Sequence, residues 1–283
     1  MTGHNMTHGI RIACRTAALT AAIGLAGIAS VFAQTQAADD PWPSIASDAF
    51  PGRTFEDGSN LLALDLPYRA EDAAIVPLTV RTTLPANDPR RVKAITVVID
   101  ENPAPVAGTF RLGENSGITS ISTRIRVNAY TNVHAVAELD DGKLYMVKTY
   151  VKASGGCSAP AMKNADAAKA NIGQMRLRQF APPAEASTGR PREAQIMLRH
   201  PNNSGLQMDQ VTRLYVPAYF VRELKIWQGD DLLMSVDASI SISEDPNIRF
   251  DYRPNGATTL RVEAVDTEER VFKGEWPVGV SNM

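Results

Sequence analysis

The chain has 283 residues, 44% of them hydrophobic and 21% charged, with a formal net charge of −2. That length holds one large domain or two modest ones, and a balance so near neutral gives no electrostatic reason to expect nucleic acid or an anionic membrane as a partner. Two cysteines and four histidines leave little material for a metal centre or a thiol network.

The first segment reads as an export leader. Arg11 and Arg15 form a basic region, Ala17 to Ala29 an apolar run, and Val31-Phe32-Ala33 a small-residue exit, so a signal peptide is expected over 1–33. A retained membrane anchor is the alternative, but the run is short. No later apolar run approaches the ~20 residues of a membrane span. Removal of the leader would take away Cys14 and two arginines with no acidic residue, shift the formal charge to −4, and leave Cys157 as the only cysteine. The mature chain is expected to begin near Gln34, in the periplasm, with 34–60 as an N-terminal extension.

From Leu61 to Lys152 the dominant signal is alternation. Ile95, Val97 and Ile99 share a face. Ile121, Thr123, Ile125 and Val127 share another, while Ser120, Ser122, Arg124 and Arg126 point away. The period recurs at Val133, Ala135, Ala137 and Leu139, and at Tyr145, Val147, Thr149 and Val151, with Asp140-Asp141-Gly142-Lys143 between them as a tight hairpin turn. Short strands without helical patterns between them argue for an antiparallel sandwich. After Pro160 the spacing of Met162, Ala165, Ala168, Ile172 and Met175 predicts a helix, and 181–189 reads as a Pro-containing connector. Alternation then returns at Ala194, Ile196 and Leu198 and at Leu260, Val262 and Ala264. The expected fold is therefore all-β, with two antiparallel β-sandwich domains joined by a short helix and linker.

The catalytic inventory is thin. His134 sits on a strand facing away from the apolar set and reads as a surface residue, and His200 opens a turn-rich stretch where it caps a strand or bonds backbone. No His-x-His or Cys-x-x-Cys spacing marks a metal site, and no nucleophile elbow, phosphate loop or dinucleotide fingerprint occurs. No cofactor, metal or catalytic residue is expected. Cys157 is the exception. An exported protein with a single cysteine cannot close an internal disulfide, and an unpaired thiol in an oxidising compartment needs a reason. Gly155 and Gly156 supply a flexible arm, and a helix starting at Pro160 would favour the thiolate. The expectation is an exposed, reactive thiol that acts as a nucleophile or attachment point; an inert linker cysteine is the alternative.

Several segments resemble a known pair of families. Asp100-Glu101-Asn102-Pro103-Ala104-Pro105, Ser122-Thr123-Arg124-Ile125-Arg126-Val127, Val136-Ala137-Glu138-Leu139-Asp140-Asp141-Gly142 and Gly155-Gly156-Cys157 resemble SoxY, the covalent sulfur carrier of bacterial thiosulfate oxidation. His200-Pro201, Ser204-Gly205-Leu206 and Ile242-Ser243-Glu244-Asp245-Pro246-Asn247-Ile248-Arg249-Phe250 resemble its partner SoxZ. The two are separate chains in that system and are fused here, as in the SoxYZ-like carriers associated with periplasmic quinoprotein dehydrogenases.

The resemblance implies two immunoglobulin-like sandwiches that pack together, SoxY-like over 61–157 and SoxZ-like over 192–283, with helix and linker over 158–191. It implies a non-enzymatic carrier with Cys157 as the covalent carrying residue. The implied partners are periplasmic redox enzymes: a quinoprotein dehydrogenase, c-type cytochromes or Sox-type enzymes. The family carrier ends Gly-Gly-Cys-Gly-Gly at a free C-terminus, whereas Ser158-Ala159-Pro160 follow here, so this thiol sits on a loop tethered at both ends. An accessory binding module, with Cys157 incidental, is the competing function.

Overall fold

The computed structural model describes residues 40–85, 87–160, 171–180 and 191–279. The chain divides into two compact units, residues 1–39 and 40–283. The expected leader falls in the first and lies outside the described residues, as do the body of the expected helix after Pro160 and the connector at 181–190.

Period-two patterning turns into strands where it was read. In β6 (Ser120–Ile125) Ile121, Thr123 and Ile125 are buried and the residues between them are half-buried, the signature of a sheet with one face on a core. The expected hairpin joins β7 (Thr131–Leu139) to β8 (Leu144–Val151), with the Gly142 amide donating to the Leu139 carbonyl at 3.0 Å. β7 departs from simple alternation, because His134 and Val136 on its second face are buried too. For His134 the reason lies in the N-terminal extension, where α1 (Trp42–Ala49) lays the Trp42 ring on the His134 ring, centroids 3.9 Å apart and nearly parallel. His134 is therefore no surface residue. Its Nε2 meets the buried Asp100 carboxylate at 3.0 Å.

The extension also supplies β1 (Phe55–Asp57), which pairs in parallel with β8. The rest of the N-terminal half is β2 (Leu62–Asp65), β3 (Val76–Thr82), β4 (Val92–Ile99) and β5 (Val106–Leu112). The C-terminal half begins with a strand where the sequence predicts helix end and linker. β9 (Met175–Phe180) pairs antiparallel with β10 (Arg192–Leu198), with Leu177 opposite Ile196. It is followed by β11 (Val221–Gln228), β12 (Asp231–Ala238), β13 (Asn247–Tyr252), β14 (Thr259–Asp266) and β15 (Val271–Pro277).

The two halves share both layers. One sheet runs β1-β8-β7-β4-β5-β12-β11-β14-β15 and the other β2-β3-β6-β13-β10-β9, so each crosses from the N-terminal half into the C-terminal half. The crossing in the first sheet pairs Phe110 of β5 with Val236 of β12. In the second it pairs Ile121 of β6 with Phe250 of β13. All four side chains are buried, in one hydrophobic cluster that extends from Leu61 to Ala264. Edge-to-edge joining hides strand edges that would otherwise offer unpaired backbone to other chains. It also brings the loop after β8 against loops of the C-terminal half.

Candidate functional site

Cys157 lies in the loop that follows β8, and the loop is docked. The Gly155 amide donates to the Asn128 carbonyl at 2.8 Å and the Gly156 amide to the Val127 carbonyl at 2.9 Å. Gly155 has a φ of +80°, a conformation that side-chain-bearing residues rarely adopt. A Cβ on Gly156 would fall 2.0 Å from the Ala73 carbonyl oxygen and 2.7 Å from that of Val127. The two glycines thus let the backbone press into a groove. In this state they serve docking rather than a free arm.

The expected exposed thiol is overturned, since Cys157 has no solvent-accessible surface. The cover comes from both halves. The Ser204 hydroxyl, from the loop after β10, donates to the Cys157 carbonyl. Beneath the loop lies Arg126, one residue beyond the end of β6 and 1% exposed. Its Nη1 donates to the Gly156 carbonyl at 3.4 Å and its Nη2 to the Asn202 carbonyl at 3.0 Å. Alternation places Arg126 off the apolar face of β6, and the 155–157 and 202–204 loops bury it there.

Asn102 braces this floor. Its side-chain amide donates to the Arg126 carbonyl at 2.7 Å and to the Ser241 hydroxyl at 2.9 Å, while its carbonyl oxygen accepts from the Asn128 amide at 2.8 Å. Of the segments that carried the resemblance, those holding Asn102, Arg126, Gly156 and Cys157, and Ser204, far apart in sequence, therefore converge on the ground that Cys157 occupies.

The electrostatics follow from burial. Desolvation pushes the Cys157 thiol above its ordinary value, and the positive charge of Arg126 opposes this only in part. The lowered value expected from a helix N-terminus is not found. Burial likewise pushes the Glu244 carboxyl up, against the pull of Arg126, and lowers the value of Arg126 itself, with Glu244, Cys157 and Asp72 acting the other way. This docked thiol is a poor nucleophile, since the thiolate is the reactive form.

A second polar network supports the 200–204 loop. Asn202 adopts a φ of 42°. Its side chain accepts from the Val221 amide at 3.1 Å, donates to the Ser243 carbonyl at 3.2 Å, and lies 2.8 Å from His200 Nδ1. His200 is buried, and desolvation lowers its pKa. Its Nε2 is 3.6 Å from Asp266, which accepts a 2.7 Å bond from the Tyr219 hydroxyl. Burial and that bond raise the pKa of Tyr219. His200 thus bonds backbone, as expected, because the Asn202 amide lies 3.1 Å from its Nδ1. Among the described residues no group of three or more His, Cys, Asp or Glu side chains is placed to hold a metal.

Sequence reasoning marked Cys157, Gly155 and Gly156 but not Arg126, Asn102, Asn202 or Ser204 as site residues. Each of these stood in or beside a segment quoted for the resemblance. The available signal was an arginine and two asparagines at positions where a sandwich has no need of them.

Residues 46–157 match the family described as Sulfur oxidation protein SoxY, and residues 179–277 match the one described as Sulphur oxidation protein SoxZ. Among solved structures, the sulfur carrier protein SoxY from Chlorobium limicola f thiosulfatophilum is 22% identical, with 40% of this chain and 94% of that chain covered and a TM-score of 0.32. A superoxide reductase (neelaredoxin) from Ignicoccus hospitalis is 10% identical, covering 39% of this chain and 86% of that one at a TM-score of 0.29. No curated protein matches the chain. The two family matches stand end to end over the greater part of one polypeptide, so the chain is a fused SoxY–SoxZ protein.

Proposed function

We propose that this fused SoxY–SoxZ chain is a periplasmic, non-enzymatic carrier that binds a sulfur species covalently on Cys157 and presents it to partner enzymes. The observation that carries this reading is the convergence of both halves on one cysteine: Arg126 and Ser204 tie the backbone of residues 156 and 157 across the junction between the SoxY and SoxZ segments. A protein that merely tolerated a linker cysteine would have no need of a cross-junction seat for it.

Loading requires the loop to leave that seat. Undocking exchanges four hydrogen bonds with water, at about 0.5–1.5 kcal/mol net each, so the open loop is roughly thirtyfold to twenty-five-thousandfold less populated than the docked one. In the open state the thiol loses its proton to water, and the thiolate displaces a leaving group from a donor already at the disulfide or thiosulfonate oxidation level. A donor at the level of thiosulfate needs a partner that removes two electrons as the new sulfur–sulfur bond forms. Redox partners of the quinoprotein dehydrogenase, c-type cytochrome or Sox type fit that need. Re-docking then returns the modified sulfur to a site closed to water and stray thiols.

A second reading is an accessory binding module for a periplasmic dehydrogenase or its cytochrome, and the complete burial of Cys157 favours it. Complementation separates the two. In cells lacking the native gene, carriage predicts that Cys157→Ser fails to restore sulfur oxidation while accumulating as folded protein. Full restoration by that variant would leave the binding module as the function.

A further inference from the structure

Arg126 carries more than a tether. It is 1% exposed and, among the described residues, forms no ion pair. Its Nη atoms donate to the neutral carbonyls of Gly156 and Asn202, and its Nε is buried with no partner. A buried guanidinium bonded only to neutral carbonyls is costly, so a fold that keeps one has a use for its charge. Tethering two carbonyls does not supply that use, because a neutral amide donor does the same work.

The groups around Arg126 narrow the choice. Asp72, from the loop before β3, and Glu244, from the loop before β13, act on it from a distance. Asp72 already accepts the Ala74 amide at 2.8 Å, and among the described residues neither carboxylate forms a hydrogen bond or ion pair with Arg126, whose Nη atoms go to carbonyls and whose Nε has no partner. Cys157 is the third group that acts on Arg126, and Arg126 is the charged group that acts on Cys157. The guanidinium holds the carbonyl of the residue that precedes Cys157, and both side chains are buried at the junction of the halves.

We propose that Arg126 is the positioning residue of the Cys157 site: it clamps the 155–157 loop to the Asn202 loop and supplies the positive charge that a thiolate, or an anionic group borne on the sulfur, meets in the docked state. The proposal deepens the carrier reading and rests on it for its purpose. Its test needs no carriage, so either can fail alone.

The test is the thiolate absorbance of the full chain followed against pH, with the Cys157→Ser trace subtracted so that only Cys157 is read. Arg126→Lys keeps the charge and should leave the midpoint within about half a unit of wild type. Arg126→Gln should raise it by about one unit or more, the size expected when an opposite charge close to a thiol is removed. A tether alone predicts the reverse, because loosening the loop hydrates the thiol and lets the midpoint fall toward ~8.5. A fall, or no change, overturns the proposal.

Should Arg126→Gln fail to fold, an isosteric pair at the cysteine decides with Arg126 intact. Cys157→Asp should melt about 2–4 °C above Cys157→Asn at neutral pH, a shift worth about 1 kcal/mol in a chain of this size. The gap should close as acid protonates the carboxyl. A Cys157→Asp chain that melts at or below its Asn counterpart shows that no unmet positive charge faces this position.

Discussion

Ser204 donates its hydroxyl to the carbonyl of Cys157 across the junction between the two halves of the molecule. The same hydroxyl oxygen accepts the Leu206 amide at 3.2 Å, so the SoxZ segment uses the first turn of one loop as a latch on the carrier loop of the other. Thiol access is thereby coupled to the state of the junction.

Removing the latch should open the loop without damaging either sheet. In Ser204→Ala the docked state loses one hydrogen bond that water replaces in the open state, worth about 0.5–1.5 kcal/mol, so alkylation of Cys157 should quicken about twofold to tenfold. Timed labelling at fixed pH measures this. An unchanged rate means that the latch does not limit access.

Gly156 should tolerate no side chain. A Cβ there meets the Ala73 carbonyl at 2.0 Å, and overpacking of this kind costs about 1–3 kcal/mol. Gly156→Ala should either lower Tm by about 2–4 °C for each kcal/mol or undock the loop and expose the thiol. Thermal melting and labelling read the two outcomes, and a variant with neither contradicts the close approach.

The buried thiol makes stability depend on alkaline pH. Its folded-state pKa lies above the unfolded one, so the folded chain keeps a proton that the unfolded chain gives up once pH passes the ordinary thiol value. Its contribution is complete below that value and is lost as pH rises through the folded-state value. Wild type should therefore lose stability above about pH 9 more steeply than Cys157→Ala. His200 acts at the other end. Desolvation lowers its pKa, so between that lowered value and about 6.5 the unfolded chain binds a proton that the folded chain refuses. Acidification below about 6.5 should cost up to about 1.4 kcal/mol per pH unit, and His200→Gln should reduce that slope. Denaturant melts across pH check both signs.

The shared layers predict one unfolding event. Phe110 with Val236 and Ile121 with Phe250 tie the halves through both sheets and a common core. The 40–279 body should melt as a single calorimetric transition with equal calorimetric and van't Hoff enthalpies. Two resolved transitions would mean that the halves fold independently.

Much of this fold could be read from the chain, because strands with one buried face write their period into the sequence. β6 shows Ile121, Thr123 and Ile125 inward, and the β7–β8 turn shows Asp141-Gly142. β9 escaped, because Met175 also fits the helical spacing that begins at Met162, and because Leu177 is the strand's one fully buried apolar position. The burial of His134 is hidden from the sequence for a different reason. Its cover, Trp42, comes from a segment about ninety residues away, and no local pattern records that contact. The same holds for Cys157. Its identity and glycines are local, but its burial depends on Ala73, Val127 and Ser204, which the topology brings together.

Intact-mass measurement of the chain purified from its native compartment, without reductant, tests carriage on Cys157 most directly. Carriage predicts a population heavier than the mature polypeptide by a sulfur-containing group, converted to the unmodified mass by a thiol reductant and absent from Cys157→Ser. A single unmodified mass in cells that are actively oxidising sulfur compounds, with the serine variant equally competent, would contradict it.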